Sequence, residues 1–243
     1  MMGSLVSPDL RARIRAGAEP IARVFGRLGL TPNTLTLIGF GIAVVAAWQA
    51  AVGAWLAAGL LVAFGAAFDL LDGALARATG RTSRLGAFLD SVFDRASEAV
   101  VYIGIGVGLA AVQGAISVSP LVLDGVVGPI ATMSALAAAF MVSYTRAKSE
   151  SLGFTWDSGM ANIGLAPREV RTVILVLALL VAGTFGMSFF TAVPAGAPPV
   201  PPMWWLVLVG ALALITVLAT LTTIQRMYHV YRQSKSQNRE VTQ

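Results

Sequence analysis

The chain has 243 residues, of which 56% are hydrophobic and only 12% are charged, and its formal net charge is +5. A soluble domain carries about twice that fraction of charged residues, so the composition excludes an ordinary soluble domain and indicates an integral membrane protein. Cysteine is absent and histidine occurs once, at His229, which excludes disulfide frameworks, thiolate catalysis and clustered imidazole ligands for a metal.

The first 29 residues are predicted to form a cytoplasmic juxtamembrane segment. No long apolar run precedes Asn33, so a cleavable signal peptide is not expected. From Pro8 to Gly29, apolar residues recur at helical spacing and arginines lie away from that stripe. The apolar positions are Leu10, Ile14, Ile21, Phe25 and Leu28, and the arginines are Arg11, Arg15, Arg23 and Arg27. This pattern favours an amphipathic helix in the headgroup plane of an anionic leaflet, with an ordinary cytosolic lead-in helix as the alternative.

Six apolar stretches follow, each long enough for a helix of about 20 residues to cross a bilayer. The predicted transmembrane helices cover residues 33–53, 55–78, 84–113, 122–147, 170–190 and 203–228. The fold class is therefore an all-α integral membrane protein, with a six-helix membrane domain over residues 30–232 and a cytoplasmic polar tail over 233–243. Gly104 and Gly108, in the middle of the third helix, are predicted to permit close helix packing.

The basic residues predict the orientation in the membrane. With the amino terminus in the cytoplasm, all 17 Lys and Arg residues fall in or near the cytoplasmic segments 11–27, 77–95, 146–171 and 226–239. The opposite loops, near 53, 113–122 and 190–203, contain neither Lys nor Arg, which is the pattern of the positive-inside rule. We therefore predict a multi-pass protein of the plasma membrane, with both termini in the cytoplasm. Because this face of the membrane explains the basic balance, no nucleic-acid partner is expected.

Four aspartates stand at the cytoplasmic ends of the second and third predicted helices. Asp69 and Asp72 are three residues apart and Asp90 and Asp94 are four apart, so each pair shares one helix face. A carboxylate at membrane depth is costly unless it is paired, hydrated or bound to metal, and this makes a functional site the default interpretation. Oxygen ligands without nitrogen or sulfur suit Mg²⁺ or Mn²⁺, and two such ions would neutralise both the carboxylates and a pyrophosphate.

Small and basic residues stand at fixed offsets from these aspartates. Gly73 and Gly86 lack side chains where a ligand could approach the backbone closely, and Arg77, one turn beyond Asp72, could hold a phosphate oxygen. The whole pattern is D-x2-D-G-x2-A-R-x8-G-x3-D-x3-D, with Ala76 at its alanine position.

This pattern resembles the signature of the CDP-alcohol phosphotransferases at every position. The resemblance implies a site at the cytoplasmic face, a homodimer, and transfer of a phosphatidyl-type group from a CDP-lipid to an alcohol with release of CMP. It also implies roles: Asp69, Asp72 and Asp90 as the main metal ligands, and Asp94 as the base that takes the acceptor proton and as a contact of the second metal. Gly73, Ala76, Arg77 and Gly86 would line the site for CMP. The alternative from another class is an aspartate-lined cation transporter, which has no need of the small residues at these offsets.

The segment before the first span, Leu30 to Thr36, has two interpretations. Pro32 and Asn33 are typical of a helix start, and Thr31 or Asn33 could simply cap the helix. The family often has a similar start beside the nucleotide, so Asn33 and Thr36 are also candidates for contact with cytidine or its ribose.

A second group of cationic residues concerns the acceptor. Residues from three cytoplasmic helix ends could meet beside the aspartates and bind a phosphorylated alcohol. These residues are Arg146, Lys148, Arg168, Arg171 and Arg226. Positive-inside anchoring, which needs no ligand, is the alternative for each of them.

The same group resembles the phosphatidylinositol phosphate synthase branch of the family and its archaetidylinositol counterparts. Arg146 and Lys148 stand in swapped order relative to that branch, and the glutamate between Arg168 and Arg171 is shifted by one position. Ser91 and Arg95 differ from the proline and lysine that are common in the glycerophosphate branch. We therefore expect a phospholipid-synthesising transferase that takes CDP-diacylglycerol or CDP-archaeol and inositol 1-phosphate, with glycerol 3-phosphate as the alternative acceptor.

Overall fold

A computed structural model describes residues 20, 24–78, 80, 83–115, 126–154, 164–189 and 202–241. Their regular structure is entirely helical, which confirms the predicted all-α class. The long helices are α1 (Pro32–Ala51), α2 (Trp55–Ala78), α3 (Arg84–Ala115), α4 (Val127–Ser151), α5 (Arg168–Phe189) and α6 (Met203–Val241).

By length and apolar composition, four stretches in the described part of the chain could cross a membrane. They are Pro32–Ala51, Trp55–Arg77, Val127–Ser151 and Met203–Lys235. The other two long helices, α3 and α5, are of comparable length, and the N-terminal half of α3 contains the charged residues of the aspartate motif. The chain therefore has a membrane-protein fold, whereas six crossings remain a prediction.

The helix boundaries agree closely with the sequence-based prediction, with two differences. Helix α4 begins at Val127 and ends at Ser151, a few residues later than expected. Helix α6 continues to Val241, through the residues that were predicted as a polar tail. Of the predicted juxtamembrane segment, residues 1–19 and 21–23 lie outside the described part of the chain, and 24–27 form a helical turn.

Local signals explain how α1 begins and ends. The hydroxyl of Thr31 accepts a hydrogen bond from the Thr34 amide at 3.2 Å, and Pro32 follows as the first helical residue. This is the usual arrangement of a helix N-cap, so Thr31 rather than Asn33 has the capping role. At the other end Gly53 has a φ of 78°, a left-handed conformation that glycine adopts without strain and that lets α2 start within a few residues.

The bundle packs through small residues. Helix α1 packs against both α2 and α3, α2 also packs against α5, and α6 packs against α4 and α5. A side chain at Gly104 or Gly108 of α3 would collide with the backbone of Ala47 or Ala50 in α1, and one at Gly183 of α5 would collide with the backbone of Leu56. The predicted role of Gly104 and Gly108 in close helix packing is therefore confirmed, and this contact sets the distance between α1 and α3.

We expect Gly104→Ala to destabilise the fold. The new methyl group would meet the Ala47 backbone, and overpacking of this kind costs about 1–3 kcal/mol. The matched control is Gly41→Ala in α1, where an added Cβ has no heavy atom within 4 Å. Thermal unfolding in detergent should show a lower Tm for Gly104→Ala only; equal Tm values for the two variants would contradict the packing argument.

Candidate active site

The candidate site forms where the end of α2, the start of α3 and the start of α5 meet. Between α2 and α3, Gly80 has a φ of 63°, which favours glycine in the turn. The Ser83 hydroxyl accepts a hydrogen bond from the Gly86 amide at 2.9 Å and so caps the first turn of α3. This short connection brings the aspartate-bearing ends of the two helices together.

Arg168 links the first and fourth aspartates of the motif. Its Nη2 lies 2.6 Å from Asp69 Oδ2, and its Nη1 lies 2.6 Å from Asp94 Oδ1. The first residue of α5 thereby connects α2 to α3, through a charge-assisted hydrogen bond to Asp69 and an ion pair with Asp94. Arg168, predicted to bind the acceptor phosphate, thus lies directly beside the predicted metal ligands, and its side chain is still 25% exposed.

The second aspartate is held in a different way. Asp72 is only 5% exposed, and its Oδ2 accepts a hydrogen bond of 2.8 Å from the hydroxyl of Thr36 in α1. Thr36, predicted as a nucleotide contact, therefore orients a carboxylate of the motif. Asp90 is partly exposed and lies within electrostatic range of both Asp69 and Asp72.

The donor set fits a hard divalent cation in its chemistry. In the described part of the chain, no three acidic or imidazole side chains converge closely enough to form an all-protein metal cage. Mg²⁺ is commonly bound by one or two carboxylates together with substrate phosphates and water, so such a cage is not required. Arg168 contacts one oxygen of Asp69 and one of Asp94, and a carboxylate can accept several partners through its two oxygens.

The residues predicted to bind the nucleotide lie at the ends of three helices. A Cβ built on Gly86 would lie 3.3 Å from Asn33 Oδ1, so the starts of α1 and α3 adjoin. The guanidinium of Arg77 covers Gly73, where an added Cβ would be 3.4 Å from Nη1. Asn33 and Arg77 are exposed, and Ala76 is partly buried. The glycines therefore leave space that side chains would fill.

Arg171 is the most deeply buried charge of the predicted acceptor group. It is 1% exposed, and its Nε and Nη2 donate to the two carboxylate oxygens of Glu98 at 2.9 and 3.0 Å. Its Nη1 donates to the Ala166 carbonyl at 2.9 Å. The fork of the guanidinium is thus occupied by protein groups, namely Glu98 of α3 and the Ala166 carbonyl.

The other predicted acceptor residues differ in burial. Arg226 is 3% exposed, donates to the Val142 carbonyl of α4, and lies within electrostatic range of Arg146 and Arg171. Arg146 is exposed and pairs with Glu150 on its own helix at 2.9 Å, and Lys148 is also exposed. The structure therefore places Arg226 of α6 within electrostatic range of Arg95 of α3, Arg146 of α4 and Arg171 of α5.

A cavity of about 50 Å³ opens beside Arg168 and lies between α1, α2, α3 and α5. Its polar end includes Asp69, Ser97, Glu98 and Arg171, whereas glycine, alanine and leucine residues line the apolar end. A space of this size with several polar partners can hold a few water molecules or part of a small polar ligand.

Two residues of this network, Glu98 and Arg95, are not among the predicted site residues. Glu98 pairs with Arg171, and Arg95 lies 3.2 Å from Glu98 and within electrostatic range of Arg168 and Arg171. The sequence does contain a signal for Glu98, because Glu98 follows Asp94 by four residues and so continues the same helix face.

Comparison with known proteins identifies the class. The family model for CDP-alcohol phosphatidyltransferases matches residues 29–193, and the chain therefore belongs to this family of membrane enzymes. Membership makes the chain a transferase of phospholipid biosynthesis and argues against the transporter alternative.

Individual relatives within the family indicate a narrower branch than the family model does. The archaetidylinositol phosphate synthase of Pyrococcus horikoshii is 35% identical over 219 residues, which is 90% of this chain and 93% of that protein. The phosphatidylinositol phosphate synthase of Mycobacteroides abscessus is 30% identical over 94% of this chain and 89% of its own length. The crystal structure of Mycobacterium tuberculosis phosphatidylinositol phosphate synthase with CDP-DAG bound has a TM-score of 0.68 at 28% identity, covering 88% of this chain and 93% of that one. The same enzyme in complex with manganese and citrate also has a TM-score of 0.68 at 28% identity and covers 88% of each chain.

Thr36→Val should destabilise the protein, whereas Thr36→Ser should not. Valine keeps the shape but removes the hydrogen bond to buried Asp72, and an unsatisfied buried acceptor costs about 1–3 kcal/mol. Serine retains the hydroxyl and serves as the control. Thermal unfolding of both variants tests this expectation, and a Tm for Thr36→Val equal to that of Thr36→Ser would show that the bond does not support Asp72.

Proposed function

We propose that this enzyme transfers a phosphatidyl-type group from a CDP-lipid to inositol 1-phosphate and releases CMP. One observation carries the proposal: Arg168 contacts Asp69 and Asp94, so a cluster of arginines adjoins the carboxylates of the family motif. A phosphorylated polyol would bring its anionic phosphate to the arginines and its hydroxyl to the carboxylates. The names of the relatives, archaetidylinositol phosphate synthase and phosphatidylinositol phosphate synthase, support the same acceptor.

Two divalent cations, Mg²⁺ or Mn²⁺, would be held by Asp69, Asp72, Asp90 and Asp94. This proposal is supported by the oxygen-only donor set and by the manganese complex of the M. tuberculosis enzyme. When bound, the ions would supply charge neutralisation for the pyrophosphate of the CDP-lipid. Thr36 would keep the buried carboxylate of Asp72 oriented towards this site.

The nucleotide would lie across the starts of α1 and α3. Asn33 and Thr36 would flank the cytidine end, while Gly73, Ala76 and Gly86 would leave room for it. Arg77 would hold a phosphate oxygen. The proximity of Asn33 to Gly86 and of Arg77 to Gly73 supports this arrangement.

The acceptor would bind on the α5 side of the aspartates. Arg168 would contact its phosphate, together with Arg226 and with Arg146 and Lys148 from the end of α4. Arg171 would contribute positive charge without contacting the acceptor, because its hydrogen-bond donors are used by Glu98 and Ala166.

The chemical step would be an in-line displacement at the β-phosphorus of the CDP-lipid. The acceptor hydroxyl oxygen forms the new P–O bond, the bond to CMP breaks, and Asp94 takes the hydroxyl proton. Positioning of the two substrates and neutralisation of charge would supply most of the rate. Arg168, bonded to Asp94, lies at the point where acceptor and carboxylate would meet.

The enzyme would cross the plasma membrane six times as a homodimer, with its termini and active site in the cytoplasm. The confinement of Lys and Arg to the predicted cytoplasmic segments supports this orientation. The CDP-lipid donor would be either CDP-diacylglycerol or CDP-archaeol, since the relatives include both a bacterial and an archaeal enzyme.

We expect purified enzyme with Mg²⁺ and a CDP-lipid to release CMP when given inositol 1-phosphate. The assay would compare glycerol 3-phosphate, inositol and serine as acceptors, each with CDP-diacylglycerol and with CDP-archaeol. Inositol differs from inositol 1-phosphate by the phosphate alone and is therefore the matched control. Faster release with glycerol 3-phosphate would overturn the acceptor assignment but retain the reaction class, and no release with any pair would overturn both.

Asp90→Asn should lower turnover at least about a hundredfold with every acceptor, because loss of a metal-binding carboxylate weakens stabilisation of the transition state. Asp90 is partly exposed, so the variant should fold with a Tm close to that of the wild type. CMP release at saturating substrate, measured alongside thermal unfolding, checks the expectation. Substantial turnover in a folded Asp90→Asn protein would remove Asp90 from the proposed metal ligands.

A further inference from the structure

We infer that Glu98 is a positioning residue for the acceptor side of the active site, an inference that rests on the proposed role of Arg168 in binding the acceptor phosphate. Glu98 lies outside the family motif, in α3, four residues after Asp94. It holds the start of α5 through Arg171 and thereby sets the position from which Arg168 reaches Asp69 and Asp94.

The contact between Glu98 and Arg171 is buried and geometrically specific. The side chain of Glu98 is 8% exposed, and both of its carboxylate oxygens accept hydrogen bonds from Arg171. Bidentate pairing of this kind fixes orientation as well as distance. Arg95 contacts the same carboxylate at 3.2 Å, so a third charge on α3 completes the arrangement.

The start of α5 is held from two sides. The backbone amide of Ala166 donates a hydrogen bond of 2.9 Å to the hydroxyl of Thr222 in α6, and its carbonyl accepts one of 2.9 Å from Arg171. Arg171 therefore ties the residues just before α5 to Glu98, while Thr222 ties them to α6. Arg168 lies between these two attachments, one turn before Arg171.

This arrangement separates the roles of two arginines on one helix. Arg168 is partly exposed beside the cavity and the aspartates, where a ligand can reach it. Arg171 is buried with its donors occupied. A shift of α5 after loss of Glu98 would displace the Arg168 guanidinium, and misplacement by about 1 Å can change rate or binding by up to about a hundredfold.

The test compares three proteins with the wild type in steady-state CMP release. Glu98→Gln removes the charge that holds Arg171, and Glu98→Leu/Arg171→Met replaces the whole pair with apolar side chains of similar size. Glu169→Gln makes the same chemical change as Glu98→Gln at an exposed position of the first turn of α5, and it is the matched control.

Glu98→Gln should raise the KM for the acceptor about tenfold or more and leave the KM for the CDP-lipid within about twofold. Its Tm should fall by roughly 10 °C, because Arg171 is left as an uncompensated buried charge. The double variant should recover the Tm, since apolar replacement of a buried ion pair is often neutral, but it should retain the raised acceptor KM. Glu169→Gln should match the wild type in all three quantities.

An unchanged acceptor KM in Glu98→Gln would overturn the inference, and so would recovery of both Tm and KM in the double variant, which would show support for the fold alone. If Glu98→Gln does not fold, the acceptor KM of Glu98→Asp decides, because this variant keeps both the charge and Arg171 but shortens the side chain; a raised value is expected, and an unchanged value would overturn the inference. The assay uses whichever acceptor the wild type accepts, so a wrong acceptor assignment would not be mistaken for failure of this inference. If the wild type releases no CMP, amide hydrogen exchange at 168–172 still decides: faster exchange in Glu98→Gln than in Glu169→Gln is expected, and equal exchange would overturn the inference.

Discussion

The architecture of the site depends on ion pairs that tie α5 to its neighbours inside an apolar bundle. Arg168 bonds to Asp69 in α2 and to Asp94 in α3, and Arg171, one turn later, bonds to Glu98 in α3. Charges withdrawn from water are costly unless each has a well-placed partner. The pairing therefore limits where α5 can begin, because a helix shifted by one residue would rotate both guanidinium groups away from their carboxylates.

Close packing of α1 against α3 also helps to determine the geometry of this site. Gly104 and Gly108 let α3 approach the backbone of α1, and the aspartate-bearing start of α3 lies on the same helix. The start of α1 is thereby brought to the motif, where Thr36 meets Asp72 and Asn33 adjoins Gly86. The packing of glycines in the middle of the bundle is thus connected to the position of the polar groups at the end that contains the aspartate motif.

The sequence predicted the helices from their apolar length, and it predicted from the three- and four-residue spacing of Asp69, Asp72, Asp90 and Asp94 that each pair shares one helix face. It did not predict which cation pairs with which carboxylate. That choice depends on the rotation of α5 relative to α2 and α3, which no local pattern contains. The extent of α6 was also missed. The apolar run ends near residue 228, but the helix continues with polar residues, and Gln233 and His229 form a hydrogen bond of 3.0 Å one turn apart.

Burial distinguishes the two explanations that the sequence left open for the cationic residues. A cation that anchors a protein at the membrane surface must keep its charged end in water or among headgroups. Arg171 and Arg226 are 1% and 3% exposed, so surface anchoring does not account for them. Arg146 and Lys148 are exposed and remain compatible with anchoring. Arg171 is instead paired with Glu98, and Arg226 experiences the like charges of Arg146 and Arg171 together with the opposite charge of Glu150. Arg226 and the three arginines within its electrostatic range, Arg95, Arg146 and Arg171, create a positive potential on this side of the bundle, and such a potential favours an anionic acceptor over a neutral alcohol.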